Sequence, residues 1–173
     1  VCVVLLALAQ FSCAAGTLVP ERQSMPAARA SLRPEYRVFY DTLSEYGAWV
    51  LIEPYGYVFR PNVNLDSWRP FGSGFWVPTD VYGWVWVSSE PYGWATYHYG
   101  DWFYDPYQAW VWIPGLEWAP AQVAWQATDT YVGWAPRMAT GTSLSSIPGG
   151  AFSYVPASQL TATDLSSRIV QEK

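Results

Sequence analysis

The feature that most constrains this chain is a comb of tryptophans. Trp68, Trp76, Trp84/Trp86, Trp94, Trp102, Trp110/Trp112, Trp118, Trp125 and Trp134 recur about every eight residues. Trp68-x7-Trp76-x7-Trp84-x-Trp86 matches Trp94-x7-Trp102-x7-Trp110-x-Trp112 at a shift of 26 residues, and Trp118, Trp125 and Trp134 give a worn third copy. Gly47-Ala-Trp49 lines up with Gly74-Phe-Trp76 and Gly100-Asp-Trp102 at steps of 27 and 26. Self-similarity at a fixed period points to a repeat architecture.

Between these landmarks the sequence alternates with period two. In Trp84-Val-Trp86 and Trp110-Val-Trp112 both Trp face one way and the Val the other, as on a strand. Acidic-x-Tyr-x turns separate the runs: Glu53-Pro-Tyr-Gly56, Glu90-Pro-Tyr-Gly93, Asp105-Pro-Tyr-Gln108 and, without Pro, Asp80-Val-Tyr-Gly83. Pro at the second turn position and Gly at the fourth are hairpin chemistry, with the acidic residue accepting backbone N–H bonds. No helical apolar stripe runs free of the 27 Gly and Pro. The pattern predicts strands near 48–52, 57–60, 67–70, 74–78, 84–88, 94–98, 101–104, 109–113, 121–126 and 131–135.

Such a 26-residue unit holds three strands, so chain direction reverses from one unit to the next, which argues against a solenoid. Propeller blades need four strands and roughly 40 residues. The expected fold is therefore all-β: an antiparallel meander of about ten short strands, closed as a small barrel or sandwich. A stack of hairpins replaces it if the Trp68, Trp94 and Trp118 segments are connectors. Strands of four or five residues are too short for an outer-membrane barrel, which needs about nine to eleven.

Residues 1–15 read as a signal peptide: an apolar run from Val1 to Ala9, then Ser12-Cys-Ala14, a small-x-small cleavage site. Lipidation at Cys13 is the competing reading, disfavoured by Gln10 where a branched aliphatic is wanted, and a buried N-terminal strand is the third. The run lacks an initiator Met and a preceding basic residue, so a truncated start is expected, and the C-terminus lacks a closing signal too. Residues 16–35 read as a flexible linker, 36–137 as the aromatic-repeat β domain, and 138–173 as a Ser/Thr/Gly-rich linker. That last segment carries a candidate strand at Phe152–Pro156 and a weak helical pattern from near Thr163.

Across residues 36–137, Arg37, Arg60, Arg69 and Arg137 oppose ten acidic residues and no Lys occurs, a net charge of −6. That balance disfavours nucleic acid and anionic lipid headgroups, so membrane contact is expected only through a lipid at Cys13. Cys2 and Cys13 are the only cysteines, so no disulfide staples the repeat block, and packing must hold it.

The run Tyr82–Trp102, with Ala109–Gly115, Trp118–Pro120 and Val132–Pro136, resembles an uncharacterised family of exported bacterial proteins with Tyr/Gly/Trp-rich repeats. That family is a domain of unknown function often described alongside FecR-like proteins. The resemblance spans about Tyr40 to Pro136, with Tyr154–Pro156 also similar. It implies a periplasmic, outer-membrane-associated or secreted location, and it implies no activity.

The chemistry legible in the residues is sparse. His98 is the only histidine and has no second soft ligand near it, so neither a metal nor another cofactor is expected, and a structural role is. Glu90 and Asp105 are the carboxyl pair a glycosidase reading would use, but Glu53, Asp80, Glu90 and Asp105 share one turn position, which points to turn chemistry. No catalytic residue is assigned. Arg69 and Arg137, each near Trp and Pro, are expected to stack on core tryptophans rather than anchor a partner.

Exposed aromatics would offer stacking platforms, and Trp84, Trp86, Trp94, Tyr97, Trp102, Trp110 and Trp112 are the candidate binding residues. The expected function is a non-enzymatic structural or protein-interaction module of the bacterial cell envelope, its partner an envelope protein. The alternative is a glycan- or peptidoglycan-binding module using exposed Trp and Tyr. A groove lined by coplanar rings would favour the glycan, and buried rings the scaffold.

Overall fold

A computed structural model describes residues 26–140 and 150–171. The expected signal peptide, Cys13 and residues 16–25 of the expected linker lie outside the described residues.

The aromatic runs form four hairpins. β1 (Gly47–Ile52) pairs with β2 (Gly56–Pro61), β3 (Gly74–Thr79) with β4 (Gly83–Ser88), β5 (Asp101–Asp105) with β6 (Ala109–Ile113), and β7 (Val123–Ala127) with β8 (Tyr131–Pro136). Each sets two aromatics directly opposite one another: Trp49 and Phe59, Trp76 and Trp86, Trp102 and Trp112, Trp125 and Trp134. Opposed aromatic pairs stabilise a ladder by about 0.2–1 kcal/mol each, so the Trp spacing also fixes the register.

The Gly-x-Trp motif has a steric origin in three of these hairpins. A Cβ on Gly47 would lie 2.2 Å from the Arg60 carbonyl oxygen, on Gly74 2.3 Å from that of Val87, and on Gly100 2.1 Å from that of Ile113. No side chain fits where the two strands close on each other.

The strands assemble into three sheets. The first has the order β1-β2-β6-β5, and Phe59 opposite Trp112 joins its two hairpins. Trp49, Phe59, Trp112 and Trp102 thus form one transverse row across four strands. β3 and β4 form a two-stranded sheet. In the third sheet β8 pairs with β9 (Ser153–Pro156), and β9 with the short β10 (Val170–Gln171).

The inner faces meet in a single aromatic core. The Trp76 ring lies 5.0 Å from Trp86, 4.5 Å from Trp125 and 5.7 Å from Trp134, which joins the second sheet to the third. Phe71 sits 4.4 Å from Tyr97 and 5.7 Å from Trp86, and Tyr97 is 6.1 Å from Trp102 in the first sheet. Phe71 is fully buried at φ 58°, a left-handed backbone rarely taken by a bulky residue, and its carbonyl accepts the Trp134 indole N–H at 3.0 Å.

The antiparallel all-β reading holds, with ten strands in three sheets. Four expectations need correction. The sheets are separate, so there is no closed barrel. The segments 67–70 and 94–98 are not strands: the first is a turn, and the second begins inside α3 (Gly93–Thr96). The unit is therefore a two-stranded hairpin with a connector, not three strands.

Helices also occur. α2 (Arg37–Leu43) buries Phe39 and Leu43, four residues apart on one face, and Phe39 meets Trp112 edge-on at 5.2 Å. α1 (Ala27–Ser31) falls in the segment expected to be a free linker. It is tied to α2 by a bidentate Arg29–Asp41 pair at 2.5 and 2.7 Å and by buried Leu32. Finally, the helical pattern after Thr163 is only a 3₁₀ turn at Leu165–Arg168.

Candidate functional site

Of the seven aromatics predicted to bind, five are core. Trp86, Tyr97, Trp102, Trp110 and Trp112 are each at most 5 % exposed, so none can stack on a ligand. The reason is local. β6 lies between β2 and β5 with Phe39 of α2 edge-on against Trp112, and Trp110, Val111 and Trp112 are all buried, so both faces of β6 are covered whereas the two-period pattern implied one. Trp84 (37 % exposed) and Trp94 (44 %) keep an open face, Trp94 leaning on Phe39 at 5.9 Å. No ring contact links Trp84 to Trp94 among the described residues.

The structure places Trp84 in an apolar surface whose other members the prediction missed. At the tip between β3 and β4, Thr79 Oγ1 accepts the Tyr82 N–H and donates to the Gly83 carbonyl, both at 3.0 Å. This fixes Val81 and Tyr82 outward, and both are exposed. The connector from Pro114 to Gln122 passes beside β4. The Trp86 N–H donates to Pro120 O at 3.1 Å, the Ala119 N–H to His98 O at 2.8 Å, and the Gln122 N–H to Tyr97 O at 3.1 Å. His98 Nδ1 lies 3.0 Å from Ala119 O, so it carries the proton and donates.

These bonds hold Trp118 in the open, stacked on His98 at 5.8 Å and 12° and meeting Tyr82 edge-on at 4.9 Å. Val81, Tyr82, Trp84, Leu116 and Trp118 are all exposed and lie on two segments joined by the Tyr82–Trp118 contact. Asp80 and Glu117, also exposed, flank it. A sequence signal for Trp118 existed: a segment bounded by Pro114 and Pro120 cannot donate a full ladder, so its tryptophan is not held in a sheet. His98 pins the Trp118 connector on both its backbone and its ring.

The turn acids part company. Asp105 caps its turn, with Oδ1 accepting the Tyr107 and Gln108 N–H groups at 2.8 Å. Glu53 precedes Pro54 through a cis bond. At the Asp80 turn the capping falls to Thr79. Glu90 gathers side chains: Oε1 accepts Trp68 Nε1 at 2.7 Å and the Tyr92 hydroxyl at 2.8 Å, and Oε2 accepts the Tyr97 hydroxyl. Burial, then the Glu90 charge, pushes the Tyr92 and Tyr97 hydroxyls well above the usual tyrosine range, so both are neutral donors. A carboxylate engaged by three donors across the core is a strut. Four-way turn equivalence is thus corrected to one capping Asp and one cross-linking Glu.

The arginines are corrected too. Arg137 pairs with Asp101 at 2.6 Å, and Arg69 donates to the Phe152 carbonyl at 3.4 Å. Among the described residues the cation–π contact is Arg33 over Tyr36, at 5.1 Å. No three His, Cys, Asp or Glu side chains come together as a metal site among the described residues.

Fold and surface define a class: an all-β domain of aromatic-rung hairpins, many of its tryptophans interior, with an exposed apolar group where the β3–β4 tip meets a clamped connector. The chain belongs to a family of unknown function, DUF6600, whose profile matches residues 40–141. α1 and part of α2 precede the matched region, and β9 and β10 follow it. Neither curated proteins nor solved structures give a significant match.

Proposed function

We propose that this protein is a non-enzymatic structural and protein-interaction module of the bacterial cell envelope, exported and displaying one docking surface on a rigid aromatic scaffold. The observation that carries this reading is the division of the aromatics. Five of the seven candidate rings are spent on the core, while Val81, Tyr82, Trp84, Leu116 and Trp118 are held outward together. Contiguous exposed apolar groups with polar flanks are typical of protein interfaces, and Trp and Tyr are favoured hot-spot residues. The flanking Asp80 and Glu117 favour a partner surface bearing Lys or Arg. Export rests on the apolar run Val1–Ala9 and the small residues after it. A glycan reading through the predicted aromatic face loses most of its platform to the interior.

The test is site-specific photocrosslinking with the probe at position 118 or 82, and at Tyr107, the most exposed large hydrophobic side chain among the described residues, as control. The expected result is a discrete protein adduct from 118 and 82 and none from 107. The purified partner should then bind at least tenfold more weakly to Trp118→Ala, the size of a hot-spot loss of about 2 kcal/mol. Adducts with glycan fragments would establish the glycan reading instead. No adduct above the Tyr107 control would refute both.

A further inference from the structure

We propose that the cleft between the β2–β3 connector and the C-terminal 3₁₀ turn binds a carboxylate-bearing sugar, with the Arg69 guanidinium taking the carboxylate. The cleft encloses about 270 Å³ and is lined by Ser67, Trp68, Arg69, Gly72, Ser73, Ser166 and Ile169.

The charge pattern singles out Arg69. Arg29, Arg33, Arg137 and Arg168 each pair with a carboxylate, and Arg60 donates to the Gln108 side-chain oxygen at 2.6 Å. Arg37 lies close enough to Asp41 to lower that carboxyl's pKa. Arg69 is part-buried and has no carboxylate partner among the described residues, and its recorded bond is a long one, 3.4 Å, to the Phe152 carbonyl. Burial alone lowers its pKa, with no neighbouring charge contributing, so the cost of desolvating it is not offset by an ion pair. A guanidinium with most of its fork unused is suited to a bidentate carboxylate.

The rest of the lining narrows the ligand. Among the described residues no acidic side chain lines this cleft, whereas Asp66 lines the smaller cleft that shares Ser67, Trp68 and Arg69 with it, which turns an anion toward the larger one. Trp68 spends its only N–H on Glu90, so it meets the cleft as an apolar ring beside Ile169. Ser67, Ser73 and Ser166 supply hydroxyls, and Ser73 is held at 2.6 Å by Ser89. One cation, three hydroxyls and an indole match a monoanionic sugar ring: the carboxylate on Arg69, ring hydroxyls on the serines, C–H groups on Trp68 and Ile169. Phosphate-rich ligands fit poorly in a domain of net charge −6 where the cleft supplies one guanidinium. The volume is below the roughly 300–1,000 Å³ of sites for drug-sized ligands, which suits one or two sugar units.

Isothermal titration of the full chain with D-glucuronate, D-glucose and the tripeptide Ala-Ala-Ala is the experiment. Glucuronate should bind saturably and at least tenfold more tightly than glucose. Binding should weaken tenfold or more in Arg69→Gln, fall partway in Arg69→Lys, and weaken as NaCl is raised from about 50 to 500 mM. Ser166→Ala, a change outside the core, should weaken it several-fold, which keeps the test sound if Arg69→Gln unfolds. Trp118→Ala should leave it unchanged, since the docking surface proposed above is a different site. Equal binding of glucose and glucuronate, tighter binding of the tripeptide, or no saturable binding would overturn the proposal.

Discussion

Removing the Glu90 carboxylate should be among the most damaging single changes outside the tryptophans. Glu90→Ala leaves three donors without their acceptor: Trp68 Nε1, the Tyr92 hydroxyl and the Tyr97 hydroxyl. Tyr97 is fully buried and Tyr92 nearly so, and an orphaned buried donor costs about 1–3 kcal/mol. Trp68 borders two clefts that admit water, so its share is at the low end. The sum is about 3–7 kcal/mol, a large part of the 5–15 kcal/mol by which a domain is stable. Glu90→Gln keeps one acceptor oxygen and should cost less, about 1–3 kcal/mol. Urea unfolding followed by Trp fluorescence and circular dichroism measures each. The decisive quantity is the double-mutant cycle with Tyr97→Phe. That change should cost about 1–3 kcal/mol in the parent and instead recover about 1–3 kcal/mol beside Glu90→Ala, because there it removes a buried hydroxyl that has lost its acceptor. A Glu90→Ala cost below about 1 kcal/mol, or an equal Tyr97→Phe cost in both backgrounds, would show that the strut contributes no stability.

Alkali should unfold the domain through the same tyrosines. Their folded-state pKa values are raised, so their stabilisation is complete below the ordinary tyrosine pKa of about 10 and is lost as pH climbs toward the folded values, by about 1.4 kcal/mol per unit per tyrosine. A pH series of urea midpoints checks this, and Tyr97→Phe should make the decline shallower. The core tryptophans should divide by their N–H groups. Those of Trp76 and Trp86 are buried without a partner, while Trp102, Trp112 and Trp134 donate to the carbonyls of Thr96, Tyr99 and Phe71. Trp→Phe at 76 or 86 should therefore cost about 1–3 kcal/mol less than at 102, 112 or 134, and equal costs would refute this reading. Gly47→Ala should unfold or displace the β1–β2 hairpin, because its Cβ meets a backbone carbonyl, whereas Gly56→Ala, with nothing within 4 Å, should cost only about 1 kcal/mol for its positive φ.

The strands of all four hairpins were legible in the sequence because their signals are local: alternation, acidic turns and Gly-x-Trp report directly on pleat, tip and strand approach. The misreadings arose where one local pattern serves two tertiary roles. Glu90-Pro-Tyr-Gly93 has the composition of a hairpin turn, yet it opens α3, because Glu90 reaches Trp68 and Tyr97 instead of capping its own backbone. Trp94 keeps the beat of the comb and lies on that helix, half-exposed, while Trp102, eight residues on, is a sheet residue with no exposure. An eight-residue step fixes where an aromatic recurs and leaves open which neighbour covers it.

Five of the seven candidate binding rings are interior for the same reason. Whether Trp112 faces a ligand or the interior depends on Phe39 of α2, which meets it edge-on from some seventy residues earlier in the chain, while Trp110 is covered by Trp102 and Tyr104. The converse case is Trp118. Its neighbours Pro114 and Pro120 keep it out of a ladder, and the His98 and Ala119 bonds then hold its ring at the surface against Tyr82. A tryptophan in this chain is buried when a hairpin partner stands opposite it and a second layer covers it. Trp84, opposite Pro78 at the end of its strand, has the first without full cover, and Trp118 has neither, which is why both belong to the surface proposed to dock a partner.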